Sequence, residues 1–363
     1  MSLVDTRFET RRRTLASELA AKRIDDMLLT HLTNMRYFSG FSGSNGALLV
    51  SKDRSAAIAT DGRYTTQIAA EVPDIEAQIT RDVAGALLAG VAEGHRVGYE
   101  ADYLTVSQLK KLEKACPDGV TLVPVAGVVE GIRLIKDNLE LSRLSEAAQL
   151  SSQALAELVD DGGIAAGRSE REIAADLEYR MRRLGAERTS FDTIVASGPN
   201  SAMPHHAAGD RRLAQGDLVT IDFGMHRLGF NSDMTRTFAV GEPAPRLREI
   251  YEVTLASQLA GVRAASAGTA LVDVDRACRD VIDDAGYGDY FVHSTGHGVG
   301  LDVHEAPWAA KTGTGTLKSA MTLTIEPGIY VPDLGGVRIE DTLIITDGAP
   351  KVITQFSKDL IVL

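Results

Sequence analysis

Asp222, Asp233, Glu326 and Glu340 are four acids, each set in a stretch that reads as a β-strand, and His297 supplies an imidazole between them in the chain. The stretches are Val219-Thr-Ile-Asp-Phe-Gly224, Asp233-Met-Thr-Arg-Thr-Phe238, Thr322-Leu-Thr-Ile-Glu-Pro327 and Val337-Arg-Ile-Glu-Asp-Thr342. Side chains alternate faces along a strand. Asp222 therefore shares a face with Thr220, opposite Ile221 and Phe223, and Glu326 shares one with Thr322 and Thr324. If four such polar faces meet, the carboxylates repel one another and resist full ionisation. A bound cation removes that conflict. Oxygen-rich donors with one imidazole suit divalent metals such as Mn, Co or Zn.

Those strands need a scaffold, and 363 residues are comfortable for two domains. In the first ~130 residues short apolar runs (Met27–Thr30, Ala47–Val50, Ala56–Ala59, Arg96–Tyr99, Val120–Val123) alternate with helical patterns (Phe8–Lys22, Tyr64–Glu71, Val106–Ala115), which predicts a layered α/β domain. Gly40-Phe-Ser-Gly-Ser-Asn-Gly46 reads as a turn-rich loop, since no Lys-Ser/Thr follows to make it a phosphate cradle. The boundary falls near residue 134, giving domains 1–134 and 135–363. Asp137 then opens a helix to about Val159, and Ser169 with Glu172 forms a capping box for another. Beyond lie strands at about 191–197, 218–224, 233–240, 321–331 and 337–346, and helices at about 245–266 and 271–285. The fold class is α/β (α+β). The Arg11-Arg12-Arg13 run and the Asp275–Asp284 acidic helix read as solvated faces, and Met1-Ser2-Leu3 carries no structural expectation.

Composition bounds the partners. The chain is 44% hydrophobic and 24% charged, with 38 basic and 50 acidic residues and a net charge of −12. A diffuse acidic surface argues against nucleic acid and anionic membrane. No apolar run approaches the ~20 residues of a membrane span. Cys116 and Cys278 stand in no metal-binding pattern and read as reduced thiols of a cytoplasmic protein.

The order of motifs is more specific. Ser197-Gly-Pro-Asn-Ser-Ala-Met-Pro-His205-His206 precedes Asp222 and Asp233; His293-Ser-Thr-Gly-His297 and His304-Glu follow, then Glu326-Pro-Gly and Arg338-Ile-Glu340-Asp. From about 135 to 363 this series resembles the pita-bread metallopeptidases: methionine aminopeptidase, Xaa-Pro aminopeptidase, Xaa-Pro dipeptidase (prolidase) and creatinase. The Gly40–Gly46 loop and Thr60-Asp-Gly-Arg-Tyr64 resemble the N-terminal domain of the Xaa-Pro enzymes. The resemblance implies a creatinase/prolidase-like three-layer domain followed by a pita-bread catalytic domain.

The resemblance also implies roles. Asp222, Asp233, His297, Glu326 and Glu340 would hold two divalent ions per chain, Mn foremost, with Co or Zn as alternatives. A hydroxide shared by the two ions would attack the scissile carbonyl, and Glu326 would shuttle its proton. His205, favoured over its neighbour His206, matches the position on the leaving side of the substrate. His293 and His304 match positions lining the pocket, His304 with a part in the chemistry. Arg338, two residues before Glu340, would bind substrate alongside His205, His293 and His304, and would orient Glu340 or Asp222. Trp308 is divided between pocket wall and core packing.

An Xaa-Pro bond is a tertiary amide with no N–H and a fixed φ, so it needs an enzyme that reads ring shape, a free amine and the trans isomer. The expected activity is an Xaa-Pro aminopeptidase acting on peptides; the alternative is an Xaa-Pro dipeptidase, which must bind the proline carboxylate with Arg or His. A creatinase-like hydrolase and a non-catalytic binding module are the rivals from other classes, and the five intact ligand positions count against both. The family also implies a homodimer in which Arg63 or the Ser42–Asn45 loop acts on the partner's site.

Overall fold

The computed structural model describes residues 5–363; Met1-Ser2-Leu3 lies outside the described residues. The chain divides into two compact units, Met1–Arg133 and Leu134–Leu363.

The first unit is built on a mixed six-stranded sheet in the order Ala77–Ile79, Ala56–Thr60, Gly46–Ser51, Asp26–Leu29, Arg96–Glu100, Thr121–Val125. Asp26–Leu29 pairs antiparallel with Gly46–Ser51 and parallel with Arg96–Glu100. Its central strands are mostly apolar on both faces, as a sheet between two helical layers requires. One face buries Leu28, Ala47, Leu49, Ala59 and Val97 with Leu87, Leu88 and Leu112. The helices Thr6–Ala21 and Leu32–Ser39 contact the same central strands. The helices Leu32–Ser39, Val83–Leu88 and Val128–Arg133 and the strand Ala77–Ile79 escape the sequence reading. Each is too short to show a period.

The Arg11–Arg13 run corrects one expectation. Arg11 and Arg12 are buried, and their guanidinium groups donate to Tyr37 O (3.0 Å) and Phe38 O (2.9 Å). They satisfy carbonyls that the end of the Leu32–Ser39 helix leaves without partners. Arg12 also pairs with Asp74, and only Arg13 matches a solvated face.

The second unit carries two cores. In one, the helices Asn138–Asp160 and Glu170–Arg183 cover a three-stranded antiparallel sheet, Met234–Ala239, Leu218–Phe223 and Ile194–Ser197, burying Val219, Ile221 and Phe223 against Leu155, Ile173 and Leu177. In the other, the helices Pro245–Ala264 and Leu271–Asp284 cover the strands Thr322–Ile325, Gly328–Val331, Gly335–Arg338 and Asp341–Ile344 through Ile250, Val274, Leu323, Ile325, Val337 and Leu343. Both predicted caps form: Asp137 with Glu140, and Ser169 with Glu172.

Two expected strands are broken. The stretch 321–331 stops at Glu326-Pro327, and 337–346 stops at Ile339-Glu340. Pro327 has no N–H to give a ladder, and Glu340 N turns aside to Thr235 O at 3.1 Å. Asp233 likewise precedes its strand. Asp222 alone of the four acids lies inside a strand; the others sit where pairing lapses and a side chain can turn inward. A small hairpin, Met225–Arg227 with Phe230–Asn231, separates Asp222 from Asp233.

Candidate active site

Asp222, Asp233, His297, Glu326 and Glu340 line one cavity of about 740 Å³, together with His205, His293, His304, Trp308 and Arg338. The proposed metal ligands and the histidines and arginine singled out around them from the sequence are therefore in one place; Arg63 and Asn45 line a different cavity. His297 is brought in by the short pair Gly296–Gly298 and Glu305–Ala309. Gly296 is required there, because a Cβ would stand 1.8 Å from Thr324 O. His297 N donates to Thr324 Oγ1 at 3.0 Å, and that hydroxyl lies 3.2 Å from Glu326 Oε1. Thr324 and Glu326 thus share the polar side, while Leu323 and Ile325 enter the core.

The electrostatics are those of crowded acids. Asp233, His297 and Glu340 each offer a ligand atom within 4.8 Å of one another, and all three are buried. Burial, then the charges of Glu340, Asp222 and Glu326, holds Asp233 well above the usual carboxylate range. Glu340 is raised in the same way by burial, Glu326 and Asp222. For Glu326, burial pushes upward, but the hydrogen bond and charge of His297 at 3.2 Å win and draw it down to about 2. His297 rises correspondingly, against its own burial.

The donor set fits a hard or borderline divalent cation. Asp222 Oδ1 and Glu340 Oε1 are buried without a hydrogen-bond partner, a costly arrangement unless something else satisfies them. His297 Nδ1 donates to Gly298 O at 3.0 Å, so a divalent ion would take Nε2, which faces Asp233 and Glu326, in place of the proton that nitrogen otherwise shares with Glu326.

Supporting residues complete the site. Arg338 Nη2 donates to Asp222 Oδ2 at 2.7 Å, and Nε donates to Thr235 Oγ1 at 3.3 Å. Thr235 in turn donates to Glu340 Oε2 at 2.7 Å. Arg338 therefore orients Asp222 directly and Glu340 through a threonine. His293 Nδ1 is 2.8 Å from Ser294 O and so donates; burial lowers the His293 pKa, leaving neutral Nε2 to accept from Tyr330 OH at 2.8 Å. His205 and His304 are exposed at the mouth, and burial followed by the nearby His297 lowers the His304 pKa. Trp308 is 46% exposed with its ring 5.9 Å from that of His297, which makes it wall rather than core.

Sequence reasoning missed several of these supports. Asp275, expected on a solvated face, is buried; it accepts from Arg279 Nε (2.6 Å) and Thr295 Oγ1 (2.9 Å). Arg279 donates to the carbonyls of Phe291 and His293, so this pair fixes the segment leading to His297. The i,i+4 spacing of Asp275 and Arg279 was the available signal. Tyr330 and Thr235 gave none, because their partners are remote in sequence.

The geometry has counterparts in known proteins. Residues 142–347 match the model of metallopeptidase family M24, and residues 11–135 match the creatinase/prolidase N-terminal domain. The chain is 35% identical over 357 residues to the Xaa-Pro dipeptidase of Pyrococcus furiosus, covering 93% of this chain and 95% of that one. Among solved structures, the Xaa-Pro dipeptidase from Bacillus anthracis superposes with a TM-score of 0.93 at 41% identity, covering 98% of this chain and 100% of the other. The X-Pro aminopeptidase from Thermotoga maritima gives 0.88 at 32% identity, covering 97% and 99%. With its creatinase-like N-terminal domain and pita-bread catalytic domain, the chain belongs to metallopeptidase family M24.

Proposed function

We propose that this metallopeptidase is an Xaa-Pro dipeptidase holding two divalent ions, with Mn the natural choice, and working as a homodimer in the cytoplasm. The observation that carries this reading is the convergence of Asp222, Asp233, His297, Glu326 and Glu340, two of them with orphaned buried oxygens, on one cavity with His205, His293 and His304 at its wall. The sequence favoured an aminopeptidase. The named relatives matching at 35–36% identity over most of the chain are Xaa-Pro dipeptidases, and that moves the reading to the dipeptidase.

Asp233, His297, Glu326 and Glu340 would hold one ion, and Asp222 with Asp233, Glu326 and Glu340 the other. When bound, the ions supply Lewis acidity and a water ionised near neutral pH. Glu326 would take a proton from the attacking water and return it to the leaving proline nitrogen, which has none of its own. Arg338 keeps Asp222 aimed inward. Arg338 is engaged by Asp222, Tyr330 and Pro204, so His205 and His304, exposed at the mouth, are the side chains placed to donate hydrogen bonds to the substrate's carboxylate.

The test compares Mn-loaded protein on an Xaa-Pro dipeptide and an Xaa-Pro-Xaa tripeptide, with Asp233→Ala as control. Dipeptide cleavage that needs both Mn and Asp233, with the tripeptide cut at least ten times more slowly, is the expected result. Efficient tripeptide cleavage would restore the aminopeptidase, and no cleavage of either would end the Xaa-Pro reading.

A further inference from the structure

Glu170 is the first residue of the Glu170–Arg183 helix, and its side chain is wholly buried. Nothing in the proposed chemistry uses it, yet five donors converge on its carboxylate. Oε1 accepts from Ser197 N (2.8 Å), Ser197 Oγ (2.7 Å) and Asn200 Nδ2 (3.0 Å). Oε2 faces His206 Nε2 at 2.7 Å and accepts from Gly209 N at 3.2 Å. Burial opposes ionisation, but the bonds from His206, Ser197 and Asn200 outweigh it, and the helix N-terminus adds its own preference for an anion.

These partners lie on the loop that carries His205. Its two chain neighbours are both tied. On one side Arg338 Nη1, whose guanidinium also holds Asp222, donates to Pro204 O at 3.2 Å. On the other, His206 is drawn back onto Glu170. His205 itself makes no hydrogen bond among the described residues, and it lines the cavity. The loop is clipped further by Glu170 N to Arg211 O (3.1 Å) and Arg171 N to Gly209 O (3.0 Å). His206 is therefore spent as an anchor, and its neighbour is left facing the substrate.

We propose that Glu170 and His206 form a positioning pair that presents His205 to the leaving side of the substrate, working together with the Arg338 tie on Pro204. This rests on the proposed contact between His205 and substrate. Without the His206 tie, only the Pro204 tie remains on the residues flanking His205 and the imidazole can wander; a displacement of about 1 Å at a reacting centre costs on the order of 10²-fold in rate.

The experiment is a double-mutant cycle on Mn-loaded full chain. His206→Ala and His205→Ala are made singly and together, with His206→Gln as the conservative variant, because its amide still offers Glu170 a donor. kcat and KM on an Xaa-Pro dipeptide are read alongside Mn content and thermal midpoint. The expected result is a fall of roughly tenfold or more in kcat for His206→Ala with Mn content unchanged, substantial recovery in His206→Gln, and no further loss when His206→Ala is added to His205→Ala. Glu170→Gln, which puts an N–H among donors, should follow His206→Ala in the same cycle. If His206→Ala is silent, or its loss multiplies with that of His205→Ala, the positioning pair is wrong while the His205 contact stands. If His205→Ala is itself silent, both fall.

Discussion

Arg338 serves four partners with one guanidinium: Asp222, Thr235, Tyr330 and Pro204. Its fixed planar fork makes this possible, and an ammonium cannot reproduce it. Removing it leaves Asp222 Oδ2 without its donor and loosens Thr235 from Glu340. Arg338→Met should therefore lower Mn affinity and kcat/KM by about 10–100-fold, the range expected for residues that orient metal ligands. Arg338→Lys should recover only a small part. Titration of Mn into metal-free protein checks this, and an unchanged affinity would refute it. At this scale the sequence was informative about type and order but not about partners. The acid–imidazole series and Arg338 were legible because the chemistry restricts which residues can occupy such positions. His205 and His206 were harder to tell apart, because what distinguishes them in the structure is the contact of His206 with Glu170, 36 residues away.

Elements aim these side chains, and they do so through close contacts that tolerate little change. Gly261, in the helix Pro245–Ala264, sits where a Cβ would stand 2.3 Å from Cys278 Sγ and 2.7 Å from Ile325 Cγ2. Ile325 immediately precedes Glu326. Helix propensity alone would favour alanine by about 1 kcal/mol. The overlap must push apart two helices and the strand ending at Glu326, and overpacking of this kind costs roughly 1–3 kcal/mol. Gly261→Ala should lower stability to urea by about that amount and reduce activity through displacement of Glu326. A stabilised variant would show that the helices have room to shift. Burial raises the Cys278 thiol to about 12, so it should resist alkylation until the protein unfolds. Long helices and their caps could be read from sequence, because Asp137 and Ser169 announce them locally. The strand break at Glu326 had a local signal in Pro327, masked by the apolar alternation that continues through it; the break at Glu340 had none, because it comes from the tertiary bond to Thr235. The buried Arg11 and Arg12 were hidden for a similar reason, since a charged run looks solvated until the carbonyls it serves are known.

At the scale of the whole molecule, the charge that makes the site also strains the catalytic unit, and bound metal would offset it. Four carboxylates share one cavity, and Asp233 and Glu340 are raised by burial and mutual repulsion, so the ions should stabilise the native state as well as equip it. Removing Mn by chelation should lower the thermal midpoint, with free metal at 100 times its dissociation constant contributing about 2.7 kcal/mol. A midpoint indifferent to Mn would argue that no ion binds. Asp341, next to Glu340, is a separate buried charge that joins elements from both halves of the unit. It accepts from Arg236 Nη2 (2.8 Å), Gln258 Nε2 (3.0 Å), Thr354 Oγ1 (2.8 Å) and Lys358 Nζ (2.6 Å). Burial pushes its pKa upward, but Arg236 and Lys358 prevail and hold it below the usual carboxylate value. The folded pKa thus lies below the unfolded one, near 3.9. The stabilisation is present above that value and is lost as pH falls through the folded pKa, because protonation in acid favours the unfolded chain. Asp341→Asn removes this dependence and leaves Arg236 buried beside a neutral amide, a loss of roughly 3–5 kcal/mol at neutral pH. Urea unfolding of wild type and variant from pH 7 to pH 3, both stripped of metal, should show the gap between them narrowing only below about pH 4. A gap that stays constant into acid would mean that Asp341 contributes through shape and hydrogen bonding, with its charge irrelevant.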